Sequence, residues 1–209
     1  MDKQEFIKKT PFLYHLTDSR NLDFIKHQKK LLSTSEIVAI SGIAEADDFL
    51  KSKRPQHSIL VVNGVNVFIR DQRPLNKALE KCLTDNWTPA DFIYHLNRRV
   101  FMWPNIKRLA IHYGRYESEN PIIFRFNTND ILALNGHVEF SKINSGATRP
   151  SATLGGKAAP RGKDTFQTFE DYSFNISSVT EVTFPQYCIL PQQFEIGSSP
   201  NGDWEKSTL

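Results

Sequence analysis

Asn63-Gly64 stands between two five-residue runs of mostly branched apolar residues, Ser58–Val62 and Val65–Ile69. Asn-Gly accepts the positive φ angles of a two-residue turn at little steric cost, so the segment predicts a tight β-hairpin. A hairpin joins antiparallel neighbours, whereas a doubly wound fold links parallel strands through crossover helices. Around it, strand and helix signals alternate without a fixed order. The chain therefore reads as α+β. No GxGxxG or GxxxxGK[ST] motif follows a strand, so neither a Rossmann dinucleotide site nor a P-loop is expected.

The remaining elements follow from periodicity and caps. Pro11–Thr17 predicts a strand, after which Thr17 or Asp18 can cap a helix carrying Leu22 and Ile25. Ser33 and Glu36 have capping-box spacing and predict a helix that Gly42 ends, followed by a charged helix over Ala44–Lys53. Pro74 predicts the start of a helix to Leu83. Thr88-Pro89-Ala90-Asp91 offers an N-cap, a first-turn proline and a first-turn acid, which predicts a helix to Arg98. Further on, strands are expected at Val100–Trp103, Pro121–Phe126 and Val179–Phe184, the last being the final strand. Helices are expected at Ile106–Tyr113 and Asp130–Leu134. Residues 144–165 contain four glycines and two prolines and read as a long functional loop. The polar segment after Pro191 reads as a fraying tail. The expected organisation is one domain over residues 1–190 and a tail over 191–209.

At 209 residues, with 39% apolar and 23% charged residues, the chain is long enough for one globular core. No apolar run approaches the ~20 residues that span a bilayer, and no apolar stretch backs the charged N-terminus as in a signal peptide. Cys82 and Cys188 belong to no disulfide or metal spacing. A reduced, cytoplasmic protein with no membrane association and no metal is expected. The net charge of +3 is mild, but its distribution is uneven. Phe92–Tyr116 contains Arg98, Arg99, Lys107, Arg108 and Arg115 among aromatic residues, with no acid. Phe140–Lys163 contains Lys142, Arg149, Lys157, Arg161 and Lys163, again with no acid. Basic residues beside aromatic ones suit phosphate binding with base stacking; solvated surface over core aromatics gives the same composition.

Two polar residues interrupt apolar strands. His15 lies in Leu13-Tyr14-His15-Leu16-Thr17, and Glu181 in Val179-Thr180-Glu181-Val182-Thr183. A carboxylate among β-branched residues is unfavourable unless it faces solvent or a site. A satisfied core histidine and an edge-strand glutamate would explain each residue separately.

Taken in order, the blocks around them resemble a known family. Leu13-Tyr14-His15-Leu16-Thr17, Asn21-Leu22 with Ile25, and Leu31-Leu32-Ser33-Thr34 form the first block. Val100-Phe101-Met102-Trp103, a helix and Pro121-Ile122-Ile123-Phe124 form the second; Thr180-Glu181-Val182 and Pro185 form the third. This arrangement resembles the DarT-type ADP-ribosyltransferases, which modify DNA bases. The resemblance implies a split mixed β-sheet with flanking helices, NAD as substrate and a DNA acceptor. It also implies an antitoxin or regulatory partner. Glu181 takes the place of the catalytic carboxylate, with His15 beside it. His15, Thr17, Asn21 and Ser33 are the implied NAD contacts. The family's NAD-contacting arginine falls by count at Ile106, which leaves Lys107 and Arg108, one and two places on, for the phosphates. Lys142, Asn144, Ser145, Arg149, Arg161 and Lys163 fall in the implied acceptor loop. A closer resemblance is to an uncharacterised bacterial family with LYHxT, LLSTS, IRDQxP, RVFxW, INSGxTRP and RGxDTF blocks, all present here between Leu13 and Phe166.

The implied chemistry breaks the nicotinamide–ribose bond through a cation-like state that a nearby carboxylate can stabilise. Two other functions remain open at this level. One is an N-glycosylase that cleaves a base–sugar bond without NAD. The other is a non-catalytic nucleic-acid-binding or inhibitor module.

Overall fold

Two antiparallel sheets touch at a single backbone bridge, and that junction makes the cleft. A computed structural model describes residues 1–209, the side chain of Thr153 excepted. The helices are α1 (Lys3–Lys9), α2 (Leu22–Gln28), α3 (Thr34–Ser41), α4 (Ala46–Lys51), α5 (Pro89–Asn97), α6 (Ile106–Tyr113) and α7 (Thr128–Leu134). The strands are β1 (Phe12–Asp18), β2 (Lys30–Leu32), β3 (Ser58–Val62), β4 (Val65–Ile69), β5 (Arg99–Met102) and β6 (Pro121–Asn127). They continue with β7 (Glu139–Ser141), β8 (Glu181–Pro185), β9 (Tyr187–Ile189), β10 (Gln193–Gly197) and β11 (Glu205–Thr208).

One sheet has the order β1-β6-β10-β11 and the other β5-β8-β7. At the junction Tyr14 and Trp103 exchange backbone hydrogen bonds of 3.0 and 2.8 Å. The fold is α+β. Every strand ladder is antiparallel, and the parallel pairing among the described residues is the isolated bridge Leu83–Arg161. The sheets are thus uniform in direction rather than mixed.

Local chemistry explains most elements. Asn63 and Gly64 both have positive φ, 50° and 79°, and close the β3–β4 hairpin as its sequence requires. The hairpin buries Leu60, Val62, Val67 and Ile69 and leaves Ile59, Val61 and Val65 outside, the alternation of a one-faced ribbon. Thr88 and Asp91 form a reciprocal capping box on α5, a device worth about 0.5–2 kcal/mol. Ser33 Oγ accepts from the Glu36 backbone at the start of α3, and Gly42 ends that helix at φ 66°. Asp18, the second of the two cap candidates, caps a short 3₁₀ turn over Ser19–Asn21 that precedes α2.

Three expectations are corrected. No α-helix forms from Pro74 to Leu83, which contains turns and a 3₁₀ turn at Glu80–Cys82. There the Asn76 side chain accepts from Ala78 N–H, and Asn76 N–H donates to Thr148 Oγ1, so the backbone is tied to the distant loop instead. The charged helix shortens to Ala46–Lys51. Most consequentially, residues 191–209 are not a loose tail. β10 pairs with β6 and β11, and Phe194 packs on Phe124 and Phe126 at centroid distances of 5.4 and 5.8 Å. Burying one such ring contributes about 1.5–3 kcal/mol, so the polar composition around it does not free the segment. The domain therefore extends past residue 190, and β8 is followed by three further strands. No described helix is long and apolar enough to cross a membrane.

Candidate active site

A cavity of about 290 Å³ opens where the two sheets, the β3–β4 hairpin and the loop after β7 converge. Its floor is apolar, with Phe24, Phe68, Leu96 and Phe101 among the lining residues. Its polar lining includes His15, Thr17 and Asn21 from the first block, Asn144 from the loop, and Glu181. His15 leaves β1 next to the bridge that joins the sheets, and Glu181 is the first residue of β8. The two residues lie 166 positions apart by number, yet the junction of the sheets brings both into the lining of one cavity.

His15 Nδ1 lies 2.8 Å from the Phe101 carbonyl. A carbonyl can only accept, so Nδ1 carries the proton and Nε2 is left as an acceptor. Burial, reinforced by the charge of Arg70, lowers the His15 pKa to about 4. The ring is neutral at physiological pH, with one acceptor nitrogen uncommitted among the described residues.

Glu181 is 4% exposed. Its Oε2 accepts from Ser145 N–H at 3.1 Å and from Ser145 Oγ–H at 2.7 Å. Burial pushes its pKa up to about 7, against the pull of Ser145 and of the Arg161 and Arg108 charges. The carboxyl is therefore poised between its two protonation states near neutrality, the condition for proton transfer.

Arg161 holds this geometry from below. Only 3% exposed, it donates to the carbonyls of Asn144, Ser145, Ala147 and Ala159. Its own backbone is pinned to Cys82 and Thr84. Gly162 follows because a Cβ there would lie 2.1 Å from oxygens of Thr84 and Asp85. Residues 144–147 are thus a fixed shelf, not a free recognition loop.

The other sequence-derived candidates separate. Thr17 is buried and accepts from the Asn21 amide at 3.3 Å. Asn21 also exchanges two hydrogen bonds with the Phe68 backbone, so its amide fastens the hairpin to β1. Ser33 is the α3 cap and does not line the cavity. Lys107 is exposed on α6 outside the cavity, and Arg108 donates to Thr180 Oγ1 at 2.7 Å, bracing the residue before Glu181. Lys142 lies over the Phe174 ring at 3.6 Å, beside a second cavity. Arg149 and Lys163 are exposed, whereas Arg161 is internal.

Arg54, Arg70, Asp71, Gln72 and Asn97, to which the sequence assigned no role, also line the cavity, as do Arg115 and Tyr116 from the basic, aromatic stretch Phe92–Tyr116. A signal was at hand in the Ile69–Pro74 block, but spacing alone assigned that block no chemistry.

The arrangement defines an α+β protein with a histidine and a carboxyl of raised pKa lining one cleft. The chain belongs to a family of unknown function, DUF7002, whose profile matches residues 11–188. No curated protein and no solved structure matches it.

Proposed function

We propose that the protein transfers ADP-ribose from NAD to a nucleic-acid acceptor, DNA foremost. The observation that carries the reading is that His15 and Glu181 line one cavity. Bound NAD supplies a ribose whose C1′–nitrogen bond is weakened by the cationic pyridinium. The uncommitted Nε2 of His15 accepts a hydrogen bond from a ribose hydroxyl and orients the sugar. Ionised Glu181 stabilises the positive charge that develops at C1′ and receives the proton lost by the attacking acceptor. Phe101, Phe68 and Trp103 supply the apolar walls that keep water away from that carbon. The exposed cations Lys142, Arg149, Lys157 and Lys163 meet the acceptor's phosphates. The unpaired, buried state of Cys82 and Cys188 supports a reducing, cytoplasmic setting.

Labelled NAD offered with single-stranded DNA, duplex DNA, RNA and protein tests this. Label should enter DNA and vanish with Glu181→Gln. Transfer surviving that substitution overturns the assigned mechanism, and no NAD consumption with any acceptor overturns the class.

One observation favours a second reading. A carboxyl with a pKa of about 7 keeps a protonated fraction at neutrality, which could protonate a departing base. An N-glycosylase would then release free base without NAD and slow as the pH rises above 7.

A further inference from the structure

Arg70 carries a buried guanidinium that makes no hydrogen bond. Its Nε, Nη1 and Nη2 are all buried and none has a hydrogen-bond partner. The guanidinium stacks on the Tyr116 ring, 4.1 Å from its centroid. Three carboxylates lie in its field: Glu119 makes a long ion pair with it, and each of the three also has a closer basic side chain. Glu119, 3.6 Å from Arg70, is 2.8 Å from His57; Asp18 is 2.7 Å from Arg20; Asp71 is 2.8 Å from Arg73. Arg115 lines the same cavity and makes no side-chain hydrogen bond or ion pair among the described residues. Arg115 directly precedes Tyr116, the ring on which Arg70 stacks, and both arginines line the one cavity.

A buried guanidinium with five unused donors is costly, and an arginine fork matches the oxygens of a phosphate. Arg70 acts on the pKa of His15, whereas Glu181 responds to Arg161 and Arg108 instead. Arg70, in the cavity lining, is thus the arginine whose charge acts on His15.

We infer that Arg70 and Arg115, over the Tyr116 platform, form an anion site for the phosphate or diphosphate of a nucleotide-sized ligand whose remainder fills the apolar floor. The site deepens the proposed NAD reading and rests on it for the rest of the ligand. It moves the phosphate contact from Lys107 and Arg108 to the Ile69–Pro74 block and the end of α6. Arg115 meets the anion directly. Arg70 lines the same cavity with its nitrogens buried, and contributes its charge to the site. A cavity of about 290 Å³ is close to the size of small-ligand pockets.

Calorimetry and thermal shift with inorganic phosphate, pyrophosphate, ADP-ribose, adenosine and a short oligothymidylate test the site. Pyrophosphate and ADP-ribose should bind saturably and compete. Arg70→Gln or Arg115→Gln should weaken both at least about tenfold and leave adenosine within about twofold. The ligand-free Arg70→Gln protein should melt no lower than the parent, because an unpaired buried charge has gone; a merely structural arginine would give a lower Tm. Should Arg70→Gln not fold, that result counts against the site, and Arg115→Gln still tests the anion contact. Unchanged ADP-ribose affinity in both variants, phosphate binding no tighter than adenosine, or Arg70-dependent oligothymidylate binding that pyrophosphate fails to displace overturns the inference. Pyrophosphate bound through Arg70 and Arg115 with no NAD turnover would sink the transferase reading and leave the anion site standing. NAD turnover with an unchanged KM in both variants would do the reverse.

Discussion

Ser145 donates two hydrogen bonds, one from its backbone and one from its hydroxyl, to the same oxygen of Glu181. Ser145 belongs to a loop and Glu181 to a strand, and the contact joins them 36 residues apart. A buried carboxyl would otherwise stay protonated far above neutrality. These two donors favour the ionised form and, with Arg161 and Arg108, hold the pKa at about 7.

Ser145→Ala removes the hydroxyl donor and leaves the backbone one. Losing a bond to the charged form raises the pKa, so the ionisation of Glu181 should move to higher pH. If Glu181 acts as the ionised group, NAD consumption should rise with pH through about 7 in the parent and shift upward in the variant. An unshifted pH profile would show that Ser145 does not set the carboxyl.

The same carboxyl leaves a mark on stability. Its folded pKa of about 7 lies above the ordinary 4.5, so its contribution is present below pH 4.5 and is lost as the pH rises through 7. Glu181→Gln should equal the parent in acid and exceed it by up to about 3 kcal/mol above neutrality. His15 works in the opposite sense. Its folded pKa of about 4 lies below 6.5, so its contribution is present above pH 6.5 and is lost as the pH falls through 4. Urea titrations across this range, with Glu181→Gln and His15→Gln, separate the two slopes.

Arg161→Met should cost about 3 kcal/mol or more, because four buried carbonyls lose their donor at once. Denaturant unfolding measures it. A loss under about 1 kcal/mol would return Arg161 to the surface role that its place in a basic segment suggests.

Phe194→Ala should destabilise the protein by about 3–5 kcal/mol, the cost of deleting a buried ring. A loose terminal segment would give almost no change in Tm.

Much of the fold was legible. The Asn63-Gly64 hairpin, the α5 capping box and the bounds of α6 are local matters, fixed within a few residues by φ preferences, caps and periodicity. The fate of residues 191–209 was not legible, because a strand of five residues gains its order from β6 and its buried ring from Phe124 and Phe126. The helix expected after Pro74 failed for the same reason: Thr148 competes for its backbone, and only the folded chain brings Thr148 near.

Within the site, His15 and Glu181 stand out along the chain as polar residues that apolar strands do not ordinarily tolerate. Burial requires such groups to be paired or used, and that rule operates on sequence alone. Folding is what puts both in the lining of one cavity, makes Arg161 a buried clamp, and leaves the Arg70 guanidinium there without a hydrogen bond. Basic residues look alike along a chain. Their roles separate when packing gives one of them four carbonyls, gives another an aromatic face and no acceptor, and leaves the rest to water.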